Sequence, residues 1–263
     1  MTFIDAAGTQ HQPDATARVV SLVPSLTELM FDLGLGTHVV GRTHYCVHPA
    51  DKLSAVPSLG GTKKIKLERL AEVGATHVLV NVDETPKELA DEIAANGYEV
   101  IVTHPNAPED NPGLYRLIGG LFGASAVAAE MCQRFDDALA DLKTAAASGP
   151  SRRVLYLIWK EPWMTISRDT YIARTLALVN WHTVGDDPAV RYPEVNLAAA
   201  LAETDLVLLP SEPFEFSDED RAEFQTAHPG LEVRLIDGEM TSWYGSRAIE
   251  GLDYLRKFAG TTV

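Results

Sequence analysis

The apolar run Arg18-Val-Val-Ser-Leu22 reads as a buried strand, and Ser25 then opens a helix over Leu26 to Leu33. Glu28 stands three positions after Ser25, the spacing of a capping box, and Gly34 supplies a left-handed exit. The unit recurs. His77-Val-Leu-Val-Asn81 predicts a strand, Thr85-Pro86-Lys87-Glu88 a second capping box with proline at the first helical position, and Gly97 a second stop. A third strand is predicted over Glu99 to Thr103. Strands alternating with helices imply a parallel sheet with helices on both faces, because parallel neighbours need crossover connections.

From Ala124 to Ala146 the period changes, with Val127, Met131, Phe135, Ala138 and Leu142 at intervals of three and four. At 1.5 Å per residue this helix spans roughly 34 Å, more than a crossover within one lobe requires. Ser148-Gly149-Pro150-Ser151 closes it, and strands return at Arg153 to Ile158, Asp205 to Leu209 and Glu232 to Ile236. The expectation is α/β: two lobes with parallel sheets, residues 1–123 and 149–263, joined by one long backbone helix, 124–148.

Composition sharpens this picture. The 263 residues are 46% apolar and 22% charged, which suits a globular chain with two cores and excludes disorder and coiled coil. A formal charge of −15 repels phosphate backbones and anionic lipid surfaces, so nucleic acid is not expected as a partner. No apolar run reaches the ~18 residues of a membrane span. The N-terminus has no basic or apolar leader segment, so the chain as it stands reads as cytoplasmic, and as periplasmic if a leader has been removed. Two cysteines, Cys46 and Cys132, make no disulfide framework.

In open parallel sheets ligands sit beyond the carboxyl ends of the strands. The loops there hold Tyr45, His48, Lys63, Asn81, Glu84 and His104 in the first lobe. In the second they hold Trp163, Arg191, Tyr192, Glu212, Phe214, Trp243, Tyr244 and Arg247, besides Trp159. Aromatic rings suit stacking on a flat ligand, while Lys63, Glu84, Glu212 and Arg247 set polarity. Arg247 is placed either to grip an anionic group bidentately or to pair with Glu250 or Asp237. His44, Cys46 and His48 alternate, so an extended backbone puts all three on one side, as a zinc site would. Tyr45 facing a ligand turns them away, and no metal site is assigned. No cofactor is expected, and phosphate loop, dinucleotide fingerprint and nucleophile elbow are all absent, which leaves catalysis with little support.

Arg18-Val-Val-Ser-Leu-Val-Pro-Ser-Leu-Thr-Glu-Leu29, Gly34-Leu-Gly36 and Val40-Gly41 resemble the opening of the helical-backbone (class III) substrate-binding proteins of ABC importers. This group contains the cobalamin, haem and iron-siderophore receptors. The similarity continues through Leu67-Glu68-Arg69-Leu70, the long helix and Arg191-Tyr192-Pro193. It implies two lobes that clamp a ligand between them and a monomer that docks on an ABC permease. Matched by position, Tyr45 and Trp163 stand at stacking aromatics of the cobalamin-binding members, and Tyr192 stands where they have tryptophan. Thr62 and Asn81 replace two further tryptophans. Glu68 matches the first permease-docking glutamate, and the second falls near Leu197 to Ala199, where Glu194 is the nearest carboxylate.

The function expected is capture of a small aromatic or metal-chelate solute, corrinoid- or siderophore-like, without catalysis. The alternative is a cytosolic chelatase-like or metal-handling enzyme that uses His48, His104, Glu84 and Glu239.

Overall fold

The computed structural model describes residues 2–62, 65–185, 187 and 189–260. Its strands are β1 (Phe3–Ile4), β2 (Gln10–His11), β3 (Val19–Ser21), β4 (Val39–Arg42), β5 (His77–Asn81), β6 (Glu99–Thr103), β7 (Arg152–Tyr156), β8 (Trp181–Thr183), β9 (Leu206–Pro210) and β10 (Glu232–Ile236). The chain forms two compact units. The first takes the chain up to Pro105, Asp110–Phe135 and Tyr244–Arg247; the second takes Asn106–Glu109, Asp136–Trp243 and the chain from Ala248 onward.

The first unit carries a parallel sheet in the order β4-β3-β5-β6. The second carries a parallel sheet in the order β10-β9-β7-β8. Numbered within its own unit, each sheet runs 2-1-3-4, so the winding reverses between the first and third strands. Every residue of β5 and of β9 is buried, as strands covered on both faces require. Val20, Leu22, Val78, Val80 and Ile93 anchor the first core; Leu155, Leu157, Val207, Leu209 and Phe224 anchor the second. The helix Ser125–Ala146 begins in the first unit and ends in the second, and it buries Ala128, Met131, Cys132, Phe135 and Leu142. Val127, read as part of the apolar stripe, is exposed, because the buried face is centred one residue later.

Neither expected capping box forms. The helix Pro24–Asp32 starts after Val23 without a side-chain cap. Glu28 is instead occupied by Arg247, and the Thr27 hydroxyl donates to the Val23 carbonyl at 3.0 Å. The second helix, Lys87–Ala95, starts one residue later than expected, so Pro86 holds the N-cap and the Thr85 hydroxyl falls outside it. Gly34 does leave its helix in the left-handed region, at φ 76°. A true capping box forms at Ser217 and Asp220, ahead of the helix Asp218–Ala227.

An unforeseen antiparallel hairpin, β1 with β2, lies against the free edge of β6. The Ala6 amide donates to the Val102 carbonyl and the Val102 amide donates to Asp5 Oδ2, both at 2.9 Å. Buried His11 stands with Nε2 3.1 Å from Asp5 Oδ2 and Nδ1 2.7 Å from Glu99 Oε1. Edge amides that would template aggregation are thereby satisfied.

Candidate functional site

A ligand is expected where the winding reverses, at the carboxyl ends of each unit's first and third strands. In the first unit these ends open into Leu22–Pro24 after β3 and Val82–Glu84 after β5. In the second they open into Leu157–Trp163 after β7 and Ser211–Phe214 after β9.

In the first unit, Tyr45 is 55% exposed, with the His44 ring tilted against it at 4.0 Å between centroids. Cys46 does not share their side. It is buried, its Sγ 3.1 Å from Thr27 Oγ1 and 3.2 Å from Thr43 Oγ1, and burial raises its thiol pKa. The alternating His44, Cys46 and His48 therefore do not converge, and no cluster of three or more His, Cys, Asp or Glu suited to a metal occurs among the described residues. His48 is half-buried.

Asn81 is buried at the end of β5, where its Oδ1 accepts from the Asp83 amide at 2.8 Å. That closes an Asx turn, while its Nδ2 donates to Thr103 Oγ1 at 3.4 Å, so both ends of the side chain are engaged. Glu84 Oε1 accepts from the Tyr244 hydroxyl at 2.7 Å, and His104 Nε2 lies 3.7 Å from Asp83 Oδ1. Lys63 lies outside the described residues.

Tyr244 is not an open stacking face but buried, its hydroxyl pKa pushed up by burial and by the adjacent Glu84 carboxylate. Gly245 follows at φ 85°. Its amide donates to Asn111 Oδ1 at 2.7 Å, its carbonyl accepts from the Tyr115 hydroxyl at 2.9 Å, and a Cβ there would stand 3.2 Å from the Ser25 carbonyl oxygen. Arg247 has a partner that sequence spacing did not suggest. It pairs bidentately with Glu28 at 2.8 and 2.5 Å, a partner 219 residues away in sequence.

In the second unit, Trp159 is 42% exposed and meets Phe214 edge-on at 5.5 Å, which brings the two switch-point loops together. Phe214 leans on Phe216 at 4.7 Å. Trp163, half-buried, packs against the core, parallel to Phe216 at 6.2 Å and edge-on to Phe224 at 5.6 Å. It walls a cavity of about 180 Å³ whose rim carries Lys160, Asp220 and Glu223. Arg191 Nη2 donates to Asn106 Oδ1 at 3.1 Å, and Tyr192 beside it is half-buried.

Trp243 is buried and donates from Nε1 to Glu212 Oε1 at 2.6 Å, while the Ser242 hydroxyl donates to the same oxygen at 3.0 Å. Burial, with Glu239 and Asp237 nearby, pushes the Glu212 carboxyl above its ordinary pKa. The stretch leading to Trp243 is not loop throughout: Gly238–Ser242 is a short helix capped by Asp237 Oδ1 on the Met240 amide.

Of the candidates, then, Tyr45 and Phe214 lie at strand-end loops with open or half-open rings. Trp243, Tyr244 and Arg247 are drawn into bonding with Glu212, Glu84 and Glu28. Trp159, outside the chosen set, is the indole that remains exposed. Its signal was position, since it is the first residue past the apolar run Arg153 to Ile158.

Two parallel α/β units on one chain, with a long helix belonging to both, define a class III solute receptor fold. The periplasmic binding protein family profile matches residues 19–210, and the chain belongs to that family. Among curated proteins it is similar to the vitamin B12-binding protein of Vibrio cholerae, 21% identical over 202 residues that cover 76% of this chain and 72% of that one. The vitamin B12-binding protein of Yersinia pestis is 24% identical over 199 residues, 75% and 70% of the two chains. Among solved structures, the periplasmic vitamin B12 binding protein BtuF of Vibrio cholerae superposes with a TM-score of 0.81 at 16% identity, covering 94% of this chain and 99% of its own. The periplasmic heme-binding protein RhuT from Roseiflexus sp. RS-1 superposes with a TM-score of 0.78 at 19% identity, covering 93% and 98%. No helix among the described residues is long and apolar enough to cross a membrane.

Proposed function

We propose that this solute-binding protein captures a planar metal chelate of the corrinoid or porphyrin type, acts in the periplasm as the receptor of an ABC importer, and catalyses nothing. The observation that carries the reading is the display of open aromatic faces at the carboxyl ends of the strands. Tyr45 with His44 stands on the first unit and Trp159 with Phe214 on the second, on a chain whose relatives are named for vitamin B12 and heme. Large flat ligands gain affinity from such rings, while a few polar groups orient them.

Glu68, exposed in the first turn of the helix Glu68–Glu72, is our choice for the permease contact. A charged rim residue of this kind governs the rate of encounter more than affinity. The protein works as a monomer in this reading. The test is tryptophan fluorescence on titration with dicyanocobinamide and with haemin. A receptor gives saturable 1:1 quenching with the chelate recovered intact. Consumption of the chelate at catalytic protein levels would establish the chelatase alternative, and absence of quenching by either would refute the reading.

A further inference from the structure

Glu212 sits in the loop that leaves β9, and its surroundings are built around it. The Ser211 hydroxyl accepts from the Gly238 amide at 2.9 Å. Any side chain at position 238 would collide with Glu212, because a Cβ there falls 2.7 Å from its Cγ and 2.8 Å from its amide nitrogen. Glu212 Oε1 then takes two donors, the Trp243 indole at 2.6 Å and the Ser242 hydroxyl at 3.0 Å. Among the described residues no donor stands on Oε2, and no cation pairs with the carboxylate.

A carboxylate that only held Trp243 in place would not need its charge: a neutral amide could accept the same two bonds. Burial, with Asp237 and Glu239 close by, raises its pKa, so these surroundings disfavour the charged form. Retaining an ion in such surroundings is unfavourable unless a donor completes it.

Resting on the proposed function, we infer that Glu212 Oε2 receives a hydrogen bond from the solute and selects chelates that carry amide N–H groups over those that carry carboxylates. A corrinoid periphery of carboxamides donates to Oε2, whereas the propionates of a haem bring a second negative charge to it. The selection needs no contact with the metal.

Glu212→Gln tests this by inversion. The glutamine oxygen keeps Trp243 and Ser242, and the amide nitrogen turns the Oε2 position from acceptor to donor. Hydrogen bonds to charged groups being worth about 1.5 to 3 kcal/mol, the variant is expected to bind dicyanocobinamide on the order of 10- to 100-fold more weakly. It should bind haemin at least as tightly as the unmodified protein. Circular dichroism and the melting temperature establish that it folds.

A measurement on the unmodified protein stands independently. Its affinity for dicyanocobinamide should fall as acid protonates Glu212, in a setting that includes Asp237 and Glu239 on the neighbouring segment and Tyr156 on β7. Unchanged preference in Glu212→Gln, or wild-type preference for haemin over dicyanocobinamide, would overturn the inference and leave the proposed function standing. Binding of neither probe would remove both.

Discussion

Replacing Arg247 with methionine keeps the length of the side chain and removes the guanidinium from Glu28. The two side chains are only 11% and 14% exposed, so water neither screens the pair strongly nor replaces it easily. Breaking a buried pair by removing one partner costs about 3 to 5 kcal/mol, and the residual exposure places this case near the lower figure, about 3 kcal/mol.

The pH dependence carries a sign that a simple packing defect would not reproduce. Burial already raises the Glu28 carboxyl above 4.5 while Arg247 opposes the rise, so losing Arg247 raises it further. A carboxyl whose folded pKa exceeds its unfolded one takes up a proton on folding. Its burden on stability is therefore full above the folded pKa and fades as pH falls toward the unfolded value. The variant's deficit should narrow from pH about 7.5 to about 5, by at most about 1.4 kcal/mol for each pH unit traversed within that window. Urea unfolding followed by far-ultraviolet circular dichroism at both pH values provides the measurement, with Glu28→Leu/Arg247→Met as the control expected to recover most of the loss. A deficit under about 1 kcal/mol at the higher pH, or one that widens in acid, would refute the reasoning.

Four further outcomes follow. Trp159→Ala should weaken chelate binding by about 1 to 3 kcal/mol with little change in melting temperature, as calorimetric titration would register. Asp220, held at about 2 by Lys160 and by the Ser217 amide and hydroxyl, should titrate near that value by carbon-13 NMR; its stabilisation is present above the ordinary 3.8 and disappears as pH falls through 2. Ser217→Ala, which removes the capping hydroxyl, should cost about 1 kcal/mol in urea. Gly251→Ala should destabilise by about 1 to 3 kcal/mol, because its Cβ would fall 2.3 Å from the Met240 carbonyl oxygen, a backbone atom that cannot swing aside.

Periodicity made much of the scaffold legible before any coordinates. The strands at 99–103 and 232–236 lie where apolar runs put them, and the long helix starts within a residue of its expected position. What escaped was set by partners distant in sequence. Glu28 looked like half of a capping box because Ser25 is three residues away, whereas Arg247 is invisible from there. Trp243 and Tyr244 looked like stacking faces because aromatic residues near a strand end commonly are; Glu212 and Glu84, from other loops, take their donors instead. The N-terminal hairpin is too short to show alternation, and it is fixed by Asp5 and His11 on the edge of β6 rather than by its own pattern.

Tyr244–Arg247, four residues late in the chain, complete the first unit, filling the place beside Asn111, Tyr115 and Glu28. Synthesis on the ribosome runs from the amino end, so that unit stays unfinished until Arg247 has emerged, long after its strands. A fragment cut after the long helix would lack the Gly245 carbonyl that the Tyr115 hydroxyl meets and the Gly245 amide that Asn111 Oδ1 meets.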